Sequence, residues 1–166
     1  FWLRHVETGR RRYWAALWVV FLLGFGVMET NLVLPALIGA HAWFFARRYF
    51  ARALWLLAPS AAFVAFHMTL APKQAAGPYS IHIDLSVART LWTYWNWALG
   101  AGAIRTPGLP PGTVTGAVLL LSALLLGFAA WSAWRRRWLP LLFLLWFLIL
   151  LAPVLPLRDH VSDYYL

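Results

Sequence analysis

The stretch Val27-Met28-Glu29-Thr30-Asn31 lies between two apolar runs, Tyr13–Val27 and Leu32–Phe45. A lone carboxylate in so apolar a setting is either part of a polar turn at a membrane surface or a working group in a site. At the centre of a bilayer helix it costs roughly 2.5–3.5 kcal/mol, and less near the surface. Read as a turn, the stretch joins two antiparallel helices. Thr30 or Asn31 then caps the second helix, and the acid favours that helix's N-terminus. Read as a site, the same geometry puts an acid at the outer mouth of two helices, where it holds a cation or a sugar hydroxyl.

Composition supports a membrane setting for either reading. Of the 166 residues 63% are hydrophobic and only 11% charged, against about 25% charged in a soluble domain. Such a chain cannot cover a water-facing surface, so it reads as an integral membrane protein. It has no cysteine, which excludes disulfides, thiolate metal sites and a cysteine nucleophile. The net charge of +9 sits mostly in short arginine clusters between apolar runs. That distribution marks cytoplasmic membrane loops rather than a nucleic-acid surface.

A spanning helix needs roughly 20 apolar residues. Five runs are candidates: Tyr13–Met28, Thr30–Phe45, Ala53–Leu70, Thr113–Trp134 and Trp138–Leu157. Trp and Tyr flank them at interface positions. Placing Arg10–Arg12, Arg47, Arg48, Arg52 and Arg135–Arg137 in the cytoplasm threads the chain one way. Glu29, the loop 71–112 and Arg158–Leu166 then lie outside. Within that loop Val87–Ile104 is aromatic and mixes in Arg89, Thr90, Thr93 and Asn96. A sixth span there would break the arginine parity, so the segment reads as an interfacial or re-entrant outer helix. The expected fold is all-α: a polytopic membrane helix bundle with about five spans and one such helix. Residues 1–166 read as a single transmembrane domain, cut from a longer protein at both ends.

Chemistry concentrates in a few places. Arg158-Asp159-His160-Val161-Ser162-Asp163-Tyr164-Tyr165 follows the last run. It is either a solvated loop with interface tyrosines or a lipid-phosphate site, since Arg and His pair with phosphate and Tyr donates to its oxygens. Arg89 and Arg105 bracket the aromatic segment, where they meet an anionic headgroup or snorkel to the interface. His82 and Asp84 are too common a pattern to claim a metal. His41 and His67, inside apolar runs, read as helix-packing polar residues. A divalent metal has no support in the sequence, no cofactor is indicated, and no Gly-rich phosphate loop is present.

Met28-Glu29-Thr30-Asn31-Leu32-Val33-Leu34-Pro35 resembles the E-T-x-x-x-x-P stretch of multi-spanning GT-C glycosyltransferases. Pro153-Val154-Leu155-Pro156-Leu157 with Arg158–Leu166 is similar to their P-L-x-x-x-x-x-x-x-R-Y-L segment. The likeness is greatest to bacterial relatives of the transmembrane and tetratricopeptide-repeat O-mannosyltransferases. It covers the layout of most of the chain but only two short motifs. Met28 stands where many relatives have Lys, and Tyr164 where they have Arg. The resemblance implies transfer of a sugar from a polyprenyl-phosphate donor to a protein or glycan acceptor on the outer face of a bacterial inner membrane. It implies a substrate or lipid-phosphate site at the matching positions Glu29, His160, Tyr164 and Tyr165, to which the threading adds Arg105 and Arg158 on the same outer side. The catalytic base of such enzymes lies in a first outer loop, which is expected outside this chain. Two other function classes stay open: a transporter or channel piece with Glu29, His41 and His67 along a polar path, and a non-catalytic membrane scaffold.

Overall fold

A computed structural model describes residues 1–26, 29–70, 80–100, 111–157 and 161; for Glu29, Thr30, Met68, Leu70 and Pro111 it describes the backbone alone. Among these residues the chain is all-α, with no strand. The helices are α1 (Trp2–Thr8), α2 (Arg11–Gly24), α3 (Leu34–Phe45), α4 (Phe50–Trp55), α5 (Leu57–Leu70), α6 (Ser86–Ala98), α7 (Pro111–Trp134) and α8 (Leu139–Leu151). Two 3-10 turns, Glu29–Val33 and Arg47–Tyr49, lead into α3 and α4.

Proline sets several of these boundaries. Its missing N–H is harmless in a first turn, and its fixed φ suits one. Pro35 stands second in α3, Pro59 third in α5 and Pro140 second in α8. Pro59 also separates α4 from α5. Its ring would clash with the carbonyl of Trp55 in a continuous helix, and the chain tightens there so that the Leu56 N–H donates to Ala53. Pro153 and Pro156 stop α8, and the chain leaves through turns at Val154, Leu155 and Leu157.

Two helical stretches are long and apolar enough to cross a membrane: Arg47–His67, 21 residues, and Gly112–Trp134, 23 residues. They coincide with the third and fourth expected runs. Five spans are not what the described helices provide. α2 has 14 residues, α3 12 and α8 13, so each is about 18–21 Å long at 1.5 Å per residue. The hydrocarbon core is about 30 Å thick. Hydropathy carried the first run past Gly24 and the fifth past Pro153 and Pro156, and it counted the 3-10 turn before α3 into the second. α6, with 13 residues, is also too short to cross.

The chain divides into two compact units. The first comprises Phe1–Lys73 with Leu145–Leu150 of α8. Its core is Trp2, Leu17, Phe21, Ile38, Ala42, Ala46, Tyr49, Ala53 and Leu56. α2 and α3 form an antiparallel pair: the Trp2 ring meets Trp14 near the start of α2 and His41 near the end of α3. Trp146 of α8 donates its indole N–H to the Leu37 carbonyl at 3.1 Å.

The second unit comprises Gln74–Leu144 with Leu151–Leu166. α6 turns Thr90 and Tyr94 inward. The Trp95 indole donates to Ser122 Oγ of α7 at 2.7 Å, and that hydroxyl donates to the Val118 carbonyl. α7 itself leaves Leu119, Leu120, Leu124 and Phe128 exposed, a continuous apolar surface of the kind that binds lipid or another protein. It closes on Arg136, whose φ is +58°. The Arg136 N–H returns to Ala133 and the Arg137 N–H to Ser132, the bond pattern of a Schellman cap.

Candidate functional site

The acid turn is a structured hairpin end. Glu29 opens the 3-10 turn Glu29–Val33, and α3 follows directly. α2 tightens as it ends: the Phe25 N–H donates to Leu22 and the Gly26 N–H to Leu23. That leaves the Phe21 carbonyl without its helical partner, and Asn31 Nδ2 donates to it at 2.6 Å. Gly24 makes room, since a Cβ there would come within 2.7 Å of the Asn31 amide. The expectation that Asn31 caps α3 is therefore corrected. The N-cap of α3 is Val33, without a side-chain cap, and the Asn31 amide serves the C-terminal end of α2. Ser60 of α5 adds a bond to the Leu32 carbonyl at 3.4 Å.

The other end of the α2–α3 pair is basic and backed by rings. His5 is fully buried among Trp2, Trp14 and Tyr49. Its Nδ1–H donates to the Arg10 carbonyl at 3.1 Å. The Trp2 indole donates to His41 Nδ1 at 3.1 Å. Around this core Arg4, Arg10, Arg11, Arg12, Arg47, Arg48 and Arg52 are all exposed. Arg48 and Arg52 lie over the Tyr49 ring, at 4.7 and 5.5 Å. Arg48 also reaches back to the Val6 carbonyl of α1 at 3.3 Å. Glu7 offsets little of this charge, since its partner Arg4 is as exposed as itself. Two of the three arginine clusters thus share one end of one unit, with the acid turn at the opposite end, about 20 Å away along α2.

The remaining expected site residues are not gathered by the described structure. Of Glu29 only the backbone is described, and Arg105, Arg158, His160, Tyr164 and Tyr165 lie outside the described residues. His67 stacks on Phe63 of α5 at 6.0 Å, while His41 is held by Trp2. His82 and Asp84 have local structural tasks. The His82 ring bonds Ser80 Oγ at 2.9 Å, and its backbone N–H donates to Pro156. Asp84 accepts the Ser86 N–H at 2.7 Å and starts α6. Among the described residues no group of three or more His, Cys, Asp or Glu side chains is arranged to hold a metal.

An apolar groove of about 420 Å³ runs along α3 in the first unit. Gly39 and Ala40 form its floor, and Trp43, Phe50, Leu54 and Leu57 form its walls. The sequence reading missed both this groove and α1. The signals were present: Gly9 follows α1 as a left-handed stop at φ +66°, and Arg47, Phe50, Leu54 and Leu57 recur at helical spacing on one face.

No family model, curated protein or solved structure matches the chain.

Proposed function

We propose that the chain is the membrane core of a polyprenyl-phosphate-dependent glycosyltransferase of GT-C type, residing in a bacterial inner membrane. The observation that carries this reading is the acid turn. Glu29 begins a 3-10 turn that leads into α3, with Pro35 in that helix's first turn. Such a turn supports the reading in which the E-T-x-x-x-x-P stretch holds an acid at the mouth of two helices. The turn also lies at the end of the hairpin away from the arginines, as an outer-face site requires.

In this reading a polyprenyl-phosphate-linked sugar keeps its tail in lipid and its phosphate at the interface. Glu29 holds a sugar hydroxyl. The residues proposed to meet the phosphate, which is the leaving group, are Arg105, Arg158, His160, Tyr164 and Tyr165. Cationic and hydrogen-bonding groups there stabilise the charge that develops in the transition state. A conducting-path reading gains less support, because His41 is engaged by Trp2 and His67 stacks on Phe63.

The test is sugar transfer by the full-length protein in membranes, across a panel of polyprenyl-phosphate-linked donors. Glu29→Gln and Tyr165→Phe are expected to lower transfer by roughly tenfold or more each, the loss of a hydrogen bond to a charged group. Arg11→Gln serves as the control. Full transfer in both variants would make the two motifs structural turns. No transfer by the parent with any donor would remove the enzyme reading.

A further inference from the structure

The groove along α3 has a mouth at its Trp43 end, and Arg47, outside the lining, stands beside it. Arg47 follows the last residues of α3 and begins the helical stretch Arg47–His67. Its guanidinium lies 5.2 Å from the centroid of the Trp43 ring, which walls the groove. Phe50 packs edge-on against the same ring at 5.3 Å. Arg47 Nε donates to the Trp43 carbonyl at 3.2 Å, one of the carbonyls left over at the C-terminal end of α3. This bond uses Nε alone, so the two terminal nitrogens stay available as a fork. Such a fork matches two phosphate oxygens. From this mouth the groove runs about 12 Å along α3 to Pro35, and its named walls are apolar throughout.

A cation at one end of an otherwise apolar channel is the complement of an amphiphile with an anionic head. We propose that the first unit binds one anionic diacyl phospholipid, with an acyl chain in the groove beside Gly39 and the phosphate on Arg47. The field of Arg48, the next residue, and of Arg52, further along the same stretch, adds to the attraction of a negative headgroup. Trp43, 52% exposed, lies between headgroup and chain, the depth at which tryptophan is enriched in membranes. This site is at the arginine end of the hairpin and does not depend on the transferase reading. Its lipid comes from the cytoplasmic leaflet, not from the donor pool of the outer face.

The experiment is native mass spectrometry of the full chain in a non-ionic detergent. Dioleoyl-phosphatidylglycerol, dioleoyl-phosphatidylcholine or a polyprenyl phosphate is added in turn. One phosphatidylglycerol per chain is expected to survive detergent removal, with at least about fivefold less phosphatidylcholine. Arg47→Gln should lower phosphatidylglycerol retention roughly tenfold. Gly39→Leu should do the same by filling the groove, which a Cβ at Gly39 enters without meeting an atom within 4 Å, and an unchanged melting temperature checks that the fold is kept. Arg11→Gln, an exposed arginine away from the groove, should stay within about twofold of the parent. Equal retention of the two phospholipids would overturn the proposal. So would equal losses in Arg11→Gln and Arg47→Gln, which would mean diffuse attraction to the whole cluster. Full retention in Gly39→Leu would remove the chain from the groove. Displacement of phosphatidylglycerol by the polyprenyl phosphate would transfer the site to another lipid, and dimers on delipidation would assign the groove to a second copy.

Discussion

Asn31 shows how one side chain settles the entry into α3. Its amide replaces the helical donor that Phe21 loses when α2 tightens. Asn31→Ala would leave that carbonyl unpaired and should cost about 1–3 kcal/mol, read as a lower melting temperature in detergent. Gly24→Ala drives a methyl into the same amide and should destabilise by a similar amount, about 1–3 kcal/mol. The two sites share one interaction, so the double variant should lose less than the sum of the singles. Arg136 predicts the opposite sign. It holds a left-handed φ without being glycine, at a cost of about 1–2 kcal/mol. Arg136→Gly should raise the melting temperature, and a fall would mean that the arginine side chain contributes more than the strain removes. At this scale the sequence left Glu29-Thr30-Asn31 as a turn or a site and offered Thr30 or Asn31 as the cap of α3, whereas Asn31 bonds the end of α2. Capping preferences are local statistics, whereas the recipient carbonyl is ten residues away and reaches Asn31 only because the hairpin closes.

Helices α6 and α7 are joined by polar atoms as well as by apolar packing. The Trp95 indole and the Ser122 hydroxyl form the link, and the hydroxyl passes it on to Val118. Ser122→Ala should cost about 1–2 kcal/mol, since it removes the hydroxyl that accepts the half-buried indole N–H. A change in tryptophan emission should accompany that loss, and a variant as stable as the parent would show that apolar packing alone holds the two helices. The existence of α6, α7 and α8 was legible in hydropathy, yet the end of α8 was not. The apolar run continues to Leu157, but Pro153 and Pro156 stop the helix at Leu151. A hydropathy window sums transfer preference and is blind to the missing proline N–H. The short α1 was hidden for the converse reason. Its 7 residues are too few to hold a helix on propensity alone, and burial of Trp2 and His5 holds it instead.

For the whole molecule, the absence of cysteine makes single-cysteine labelling in sealed vesicles clean. Arg11→Cys and Arg48→Cys should react from one side, because the two clusters share one end of the first unit. Arginine parity expects Glu29→Cys to react from the other side. Reaction of all three from the same side would make the α2–α3 hairpin re-entrant, as helices of about 18–21 Å permit. The sequence by itself determined the all-α class and the turns between apolar runs, whereas its five expected spans reduce to two stretches long enough to cross a membrane. Each follows from composition, run length and glycine or proline, all local along the chain. Only the tertiary structure decided that His5 is buried beneath the arginines, that Asn31 serves α2, and that Arg47 stands at the mouth of an apolar groove. Those facts depend on which helix faces meet, and that is decided by packing between residues far apart in the chain.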